Sequence, residues 1–193
     1  MAEPQSNVSF GEVRICILAG GRSLRMGRDK AAVSLAGATL LDRVTRTAAA
    51  TGWPVGLIRE DSVDSYGPLS GILTGFERYS ERKLLFLPCD MPFMGRDLLA
   101  QLGAKSDATG KSVFVEAGDL VGFPFLIARD DCGEVRRRFA VGEYSLQLLA
   151  QTLGAVKMGS QNPDLELFNI NTPADLERAE ELLAGYSRDL PSN

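Results

Sequence analysis

The hydrophobic pattern of the chain alternates between short apolar runs and stretches with helical spacing. Val13–Leu18 and 83–87 are compact, mostly apolar runs of the kind that form strands buried on both faces of a sheet. Residues 40 to about 50 place apolar side chains on one stripe, which predicts an amphipathic helix that Thr39 can cap. By the same criteria, further strands are predicted at 53–58, 112–116, 122–128 and 155–158, and further helices from 68, at 97–102, from about 130, at 145–153 and from 173.

Strands and helices alternate along the chain, and neither an internal repeat nor a linker interrupts them. This alternation predicts a single α/β domain with three αβα layers around a mostly parallel, doubly wound sheet. At 193 residues the chain is long enough to bury a substantial core in one domain. The domain is expected to span 13–185, with a flexible lead-in at 1–12 and a C-terminal tail at 186–193. The proline in 122–128 predicts that this strand lies at a sheet edge or contains a bulge.

The charge balance argues against a general nucleic-acid-binding protein. The chain has 21 basic and 25 acidic residues, which give a net charge of -4. No apolar run reaches the roughly 18–20 residues that span a bilayer, and residues 1–10 lack the apolar core of a signal peptide. We therefore expect a cytoplasmic protein that contacts neither nucleic acid nor membrane.

The chain contains no histidine. This excludes Ser-His-Asp and Cys-His catalysis, as well as metal sites built on histidine. The three cysteines, Cys16, Cys89 and Cys132, lack metal-type spacing and leave an odd number for disulfides. Because Cys16 lies in a predicted strand and Cys89 ends another, buried thiols are expected at both positions.

A glycine pair follows the first predicted strand and opens a basic loop. Gly20 and Gly21 let the backbone turn sharply and approach a ligand closely. Four cations follow within nine positions, namely Arg22, Arg25, Arg28 and Lys30. Glycines for close approach and cations for charge indicate a polyphosphate cradle, although the loop matches neither Walker A nor Gly-x-Gly-x-x-Gly. The alternative is a solvated turn, which we consider the weaker interpretation because several features agree.

Two further segments carry candidate chemistry at the ends of predicted elements. Asp90 stands between prolines after the strand at 83–87, and Mg²⁺ is usually held by one or two such carboxylates together with substrate phosphates. Pro68 suits the first turn of a helix whose glycines, Gly71 and Gly75, weaken it by about 1 kcal/mol each relative to alanine. Those glycines either let a nucleotide approach the helix N-terminus or allow close packing on the sheet.

The last segment with candidate functional residues is Asn-Ile-Asn-Thr-Pro at 169–173. Thr172, Pro173 and Asp175 are typical of a helix N-cap, first position and third position, so a structural role accounts for them. Asn171 precedes the cap and can reach towards a metal or a phosphate. The arginines at 136–138 point in different directions on a predicted helix, so a solvated face is favoured over an anion site.

These segments resemble the motifs of the molybdenum cofactor nucleotidyltransferases, which have the Rossmann-like fold of the nucleotide-diphospho-sugar transferases. The matching patterns are Leu-Ala-Gly-Gly-x-Ser-x-Arg-Met-Gly-x-Asp-Lys (18–30), Gly-Pro-Leu-x-Gly (67–71), Leu-Pro-Cys-Asp-Met-Pro (87–92) and Asn-x-Asn-Thr-Pro (169–173). The resemblance extends from near 13 to near 183. It implies transfer of GMP from GTP to the phosphate of molybdopterin, giving molybdopterin guanine dinucleotide and pyrophosphate.

The resemblance also implies roles for individual residues. Arg25 and Lys30 would neutralise charge on the leaving pyrophosphate, and Asp90 with Asn171 would hold Mg²⁺. Asp61 would accept hydrogen bonds from the N1–H and the exocyclic amine of guanine. The implied catalytic residues are Arg25, Lys30 and Asp90. The implied nucleotide-binding residues are Leu18, Ala19, Gly20, Gly21, Lys30, Asp61, Gly67, Pro68, Leu69, Gly71 and Asp90. Transient contact with cofactor-biosynthesis proteins or an acceptor molybdoenzyme is a further expectation.

The sequence departs from the family pattern in two places. Family members commonly have two strands between the first helix and the guanine-binding aspartate, and the first of these strands ends in an asparagine. Only about ten residues separate the predicted helix from Asp61, so one strand and its asparagine are missing. The base pocket is therefore expected to be altered or open. Phe123 stands where the family often has a basic residue or histidine.

Three alternatives stay open from the sequence. A cytidylyltransferase acting on the same pterin usually lacks Gly-Pro-Leu-x-Gly, and a sugar-phosphate nucleotidyltransferase usually spaces the lysine of the first motif differently. A non-catalytic nucleotide-binding or cofactor-binding protein would fit the shortened pocket, although Lys30 and Asp90 argue against it.

Overall fold

A computed structural model of the protein describes residues 12–20, 30–59 and 67–188. The strands are β1 (Val13–Leu18), β2 (Ser34–Leu35), β3 (Ala38–Thr39), β4 (Val55–Ile58), β5 (Lys83–Pro88), β6 (Val113–Ala117), β7 (Leu120–Ala128) and β8 (Val156–Gly159). The helices are α1 (Leu40–Ala49), α2 (Pro68–Arg78), α3 (Arg96–Thr109), α4 (Cys132–Ala140), α5 (Leu146–Thr152), α6 (Pro163–Glu166) and α7 (Pro173–Arg188). Short 3-10 turns cover Lys30–Ala32 and Arg129–Asp131.

Six strands form the central sheet in the order β4-β1-β5-β7-β6-β8. Strand β1 pairs in parallel with β4 and β5, and β6 pairs in parallel with β8. Strand β7 is antiparallel to both of its neighbours, β5 and β6. The carboxyl ends of the parallel strands therefore meet at one edge of the sheet, where ligands bind in folds of this type. The predicted mostly parallel sheet is confirmed.

Helices cover both faces of the sheet, which confirms the predicted three layers. On one face, α1 and α3 pack their apolar side chains on a core that includes Ile15, Ile17 and Leu85. On the other face, α2, α4 and α5 pack on a core that includes Phe86 and Phe125. Helix α7 lies apart from both and packs on the β2–β3 hairpin. None of the described helices is long and apolar enough to cross a membrane.

Helix boundaries follow local chemistry. Thr39 caps α1 as predicted, and a capping box joins its side chain to Asp42. Helix α3 extends well beyond the predicted 97–102. The prediction stopped too early because the turns beyond 102 lack a clear apolar stripe. It ends where Gly110 adopts a left-handed conformation with φ of 66°. Gly103 within α3 packs on the indole of Trp53, since a Cβ there would lie 2.6 Å from the ring.

Strand β7 corrects the expectation of an edge strand, because it lies between β5 and β6 in the sheet. The alternative of a bulge is confirmed. The β6–β7 register shifts after Phe114, which pairs with Phe125, while Val115 pairs with Gly122. Phe123 and Pro124 are thus the extra residues of the bulge in β7. Pro124, which has no N–H, lies where the hydrogen-bond ladder with β6 is interrupted.

Arg138 also corrects an expectation. Arg136 and Arg137 are exposed, as expected for a solvated face, but Arg138 is only 5% exposed. Its guanidinium donates to Glu134 at 3.0 Å, to Glu143 at 2.6 Å and to the hydroxyl of Thr152. Arg138 therefore ties α4 to α5 and is not part of an anion site.

Strand β4 is the edge of the central sheet in the part of the chain that the structure describes. It is also the only strand between α1 and α2 among the described residues. Both observations agree with the missing strand inferred from the short spacing before Asp61. The predicted lead-in and tail lie outside the described residues, apart from residue 12 and the last turn of α7.

Candidate functional site

Three predicted site residues meet at the carboxyl edge of the sheet. The Nζ of Lys30 donates to Asp90 Oδ2 at 2.7 Å and also to Asn171 Oδ1. Lys30 and Asp90 are 60 positions apart, and Lys30 and Asn171 are 141 positions apart. The fold therefore brings together an ammonium, a carboxylate and an amide from three separate motifs.

The backbone after β5 fixes Asp90. Leu18 pairs with Pro88 at the end of the β1–β5 ladder, and the N–H of Cys89 donates to the carbonyl of Leu18 at 3.1 Å. Cys89 and Met91, on either side of Asp90, have buried side chains. The carboxylate consequently projects from a short segment that is held both by the ladder and by the core.

Asn171 is held by the start of α7. The Asp175 carboxylate accepts hydrogen bonds from the N–H of Asn171 at 2.9 Å and of Thr172 at 2.8 Å. The Thr172 hydroxyl accepts from the N–H of Asp175 at 3.2 Å, so the predicted cap is confirmed. The hydrogen bond from Asn171, followed by those from Thr172 and by the charge of Lys30, lowers the pKa of Asp175. Asp175 thus orients Asn171, a role that the sequence did not reveal.

Ile170 connects the two motifs directly. Its side chain is buried beneath α7, and its N–H donates to the carbonyl of Asp90 at 2.9 Å. The sequence reasoning missed this contact, although an apolar residue between two asparagines signals a segment whose middle side chain is buried. The result is that Asp90 and Asn171 are placed relative to each other through their main chains.

The hydrogen bonding of the Asp90 carboxylate is only partly satisfied. Lys30 pairs with one oxygen of Asp90, while Oδ1 is buried and receives no hydrogen bond from any described residue. A buried carboxylate oxygen of this kind is suited to a hard cation. Within the described ranges, no three His, Cys, Asp or Glu side chains are grouped to hold a metal. A metal here would take Asp90, Asn171 and oxygen atoms from a bound ligand.

The start of the first loop shows why Gly20 must be small. The N–H of Ala19 continues the sheet by donating to the carbonyl of Ile58 at 2.9 Å. A Cβ on Gly20 would lie 2.6 Å from the carbonyl oxygen of Arg59. Close approach of the protein's own backbone therefore accounts for Gly20, whereas the sequence reasoning assigned this role to a ligand.

The start of α2 combines a special backbone with tight packing. Gly67 has φ of 74° and ψ of -159°, a conformation open essentially to glycine, and Pro68 follows as the first helical residue. The side chain of Leu69 is buried in the core. A Cβ on Gly71 would lie 2.9 Å from Leu18, and one on Gly75 would lie 2.9 Å from Phe86. Close packing on the sheet thus explains Gly71 and Gly75, which leaves the backbone at the helix start as the part that can face a ligand.

The remaining predicted residues are either outside the described ranges or structural. Gly21, Arg22, Arg25, Arg28 and Asp61 lie outside the described residues. Cys16 and Cys89 are buried and form no disulfide, as expected, and burial raises the pKa of Cys16 to about 12. Cys132 is partly exposed and free.

The comparisons with known proteins agree with the resemblance. Residues 15–156 match the family described as the MobA-like NTP transferase domain. The chain is similar to the molybdenum cofactor guanylyltransferase of Pseudomonas syringae pv. syringae, with 30% identity covering 86% of this chain and 92% of the relative. It is similar to that of Rhizobium rhizogenes, with 33% identity over 92% and 95%. Its fold is similar to molybdopterin-guanine dinucleotide biosynthesis protein A from Archaeoglobus fulgidus, with a TM-score of 0.72 and 21% identity, covering 89% of this chain and 99% of that structure.

Proposed function

The chain belongs to the MobA-like NTP transferase family, and we infer that it transfers GMP from GTP to the phosphate of molybdopterin. It is a nucleotidyltransferase of the α/β fold expected from the sequence. The observation that carries the inference is that relatives named molybdenum cofactor guanylyltransferase align with nearly the whole chain. The contact of Lys30 with Asp90 and Asn171 supports it, because three motif residues meet at one point.

The reaction needs charge neutralisation and alignment more than proton transfer. A phosphate oxygen of molybdopterin forms a bond to the α-phosphorus of GTP, and the bond from that phosphorus to the β-phosphate bridging oxygen breaks. Pyrophosphate leaves with the electron pair of that bond. Because the attacking phosphate is already anionic, no histidine or other general base is required. This explains how a chain without histidine can catalyse the transfer.

We propose that Asp90 and Asn171 hold Mg²⁺. The fit rests on the buried Asp90 Oδ1, which lacks a hydrogen bond from any described residue, and on the neighbouring amide oxygen of Asn171. Bound Mg²⁺ would neutralise charge on the phosphates. One carboxylate and one amide leave most coordination positions for water and phosphate oxygens, which is the usual arrangement for this ion.

The other proposed roles belong to the first loop and to α2. Lys30 neutralises charge that develops on the pyrophosphate, and we assign the same role to Arg25. Backbone N–H groups of Gly20 and Gly21 bind the triphosphate. We assign the N-terminus of α2, where Gly67 makes no side-chain cap hydrogen bond, to the nucleotide as well. Asp61 accepts hydrogen bonds from guanine. Contacts with acceptor molybdoenzymes and the cytoplasmic location stay predictions.

The preference for guanine over cytosine rests on two observations. Gly-Pro-Leu-x-Gly at 67–71 is the segment that the cytidylyltransferase pattern lacks, and the relatives are named guanylyltransferases. The position of β4 at the edge of the described sheet keeps the second candidate open, because an open pocket gives the base fewer contacts. We therefore retain molybdopterin cytidylyltransferase as the second candidate.

The test is release of pyrophosphate with molybdopterin and Mg²⁺ present, with GTP, CTP, ATP and UTP supplied separately. We expect release with GTP alone, and mass spectrometry of the product should show a guanine dinucleotide. Release with CTP alone would keep the chemistry and overturn the base assignment. A folded protein that binds nucleotide but releases no pyrophosphate would instead be a non-catalytic binding protein.

A further inference from the structure

Lys30 contacts the same two side chains that the proposed function assigns to the metal. Its Nζ donates to Asp90 Oδ2 at 2.7 Å and to Asn171 Oδ1. We propose that Lys30 is a place-holder for the divalent cation, occupying the metal ligands until nucleotide binds. A metal ion then enters only together with the nucleotide, whose phosphates take over the ammonium group. This inference rests on the proposed function, because it uses the same metal ligands.

The charges make this competition strong. The side chains of Lys30 and Asp90 are only 23% and 14% exposed, so water screens their attraction less than it screens a surface ion pair. A divalent cation that approaches Asp90 while Lys30 is in place meets a positive charge within hydrogen-bonding distance of its ligand. The nucleotide-free site is thus neutralised without a metal.

The ligands do not depend on Lys30 for their positions. The N–H of Ile170 joins the two motifs by donating to the carbonyl of Asp90 at 2.9 Å, and the Asp175 carboxylate holds the N–H of Asn171 at 2.9 Å. Asp90 itself follows a strand that is paired up to Pro88. When Lys30 leaves, the main chain therefore still places Asp90 and Asn171 next to each other.

Asp90 Oδ1 supports the same conclusion from the other side of the carboxylate. It is buried and has no hydrogen-bond partner among the described residues. The Lys30 ammonium therefore pairs with only one of the two carboxylate oxygens. A lysine is also the suitable residue for a temporary partner, since its charge is a point at the end of a flexible stem. A triphosphate offers more negative charge than Asp90 alone and can attract the ammonium away.

The test is Mn²⁺ binding to the nucleotide-free full chain, measured by the loss of the free-ion signal in electron paramagnetic resonance. We compare the wild type with Lys30→Met, which keeps the stem and removes the charge, and with Lys30→Arg, which keeps the charge. The matched control is Lys83→Met, because Lys83 forms an ion pair with Asp107 at the far end of β5. Circular dichroism verifies that each variant is folded.

Lys30→Met should bind Mn²⁺ at least about tenfold more tightly than the wild type, since it removes a unit positive charge next to the metal ligand Asp90. Lys30→Arg and Lys83→Met should bind as weakly as the wild type, and adding Asp90→Asn to Lys30→Met should abolish the gain. Unchanged or weaker binding by Lys30→Met would overturn the proposal, as would an equal gain in Lys83→Met. If Lys30→Met does not fold, Lys30→Gln replaces it with the same expected gain.

This result is separable from the proposed function. The binding measurement contains neither nucleotide nor pterin, so it can support a place-holder even if GTP is not the substrate. Conversely, if the wild type transfers GMP while Lys30→Met gains no affinity for Mn²⁺, that combination would leave the enzyme assignment intact and refute the place-holder role of Lys30.

Discussion

Two ion pairs of nearly equal geometry lie at opposite edges of the central sheet. At the carboxyl edge, Lys30 contacts Asp90 at 2.7 Å, with side chains 23% and 14% exposed. At the amino edge, Arg14 contacts Glu81 at 2.7 Å, with side chains 22% and 15% exposed. In both pairs the second carboxylate oxygen is buried and has no hydrogen bond from a described residue. By itself, neither the length of an ion pair nor an unpartnered oxygen therefore identifies a functional site; at Asp90 the neighbouring amide oxygen of Asn171 is the additional observation.

The surroundings of the two pairs differ in what holds the cation. The Arg14 guanidinium lies over the ring of Tyr79 at 4.5 Å, and Tyr79 itself lies against Gly56. Burial raises the pKa of Glu81, but hydrogen bonds from its own backbone N–H and from Arg14 outweigh this, so that its pKa lies below the usual value. This is the pattern of a fixed structural pair.

The carboxyl-edge pair has a third partner and a cation on a flexible stem. Asn171 adds a neutral oxygen from a third motif, and its main chain is anchored independently. Convergence of motifs at the carboxyl edge, together with a cation on a flexible stem, therefore distinguishes the candidate catalytic site from a structural ion pair.

The largest effect on this comparison is expected from removing each cation. Lys30→Met should lower the rate of GMP transfer by about 10²–10³, because an electrostatic stabiliser of the leaving group is lost. Arg14→Met should leave the rate within about twofold but lower the free energy of unfolding by about 1–3 kcal/mol, because Glu81 is left without its partner. Steady-state kinetics and urea denaturation measure the two quantities. An equal loss of rate in both variants would remove the distinction between the edges.

A smaller effect is expected from adding a methyl group to Gly20, at the carboxyl edge, and to Gly56, which packs against the Tyr79 of the amino-edge pair. Gly20→Ala places a Cβ 2.6 Å from the backbone oxygen of Arg59, and Gly56→Ala places one 2.3 Å from the hydroxyl of Tyr79. Both should cost about 1–3 kcal/mol of stability by overpacking. Only Gly20→Ala should also reduce GMP transfer, since it displaces the start of the first loop. Urea denaturation and the transfer assay measure the two quantities. A folded Gly56→Ala variant that has lost transfer activity would contradict this prediction.

The smallest effect is a pH dependence at Asp175. Its pKa in the folded protein is lowered from 3.8, first by the hydrogen bond from Asn171. A lowered pKa means that the stabilisation is fully present above about pH 3.8 and is lost as pH falls through the folded-state pKa. The stability difference between the wild type and Asp175→Asn should therefore be constant from pH 7 to 5 and shrink below pH 4. A constant difference down to pH 2 in thermal unfolding would contradict this role.

The sequence predicted those parts of the site whose chemistry is local. Asp90 between prolines, Asn171 before a capped helix and Lys30 in a basic loop each stand at the end of an element, where local pattern is informative. The positions of the six central strands and the capping of α1 and α7 were predicted for the same reason, whereas the short β2–β3 hairpin was not predicted.

The remaining features depend on partners far along the chain. The reason for Gly20 is the backbone of Arg59, and Arg138 is buried because Glu143 and Thr152 reach it from beyond α4. The central position of β7 results from its pairing with both β5 and β6, which a proline in its own sequence argued against. Contacts of this kind are set by packing of the whole domain.

The most direct measurement compares Asp90→Asn with Glu81→Gln, two substitutions that neutralise the two paired carboxylates without changing their shape. The quantity is the rate of GMP transfer from GTP to molybdopterin at saturating Mg²⁺, with folding verified for both variants. We predict a loss of rate of about 10²–10³ for Asp90→Asn and a rate within about twofold of the wild type for Glu81→Gln. Wild-type activity in a folded Asp90→Asn variant would contradict the assignment of the catalytic centre to the carboxyl edge.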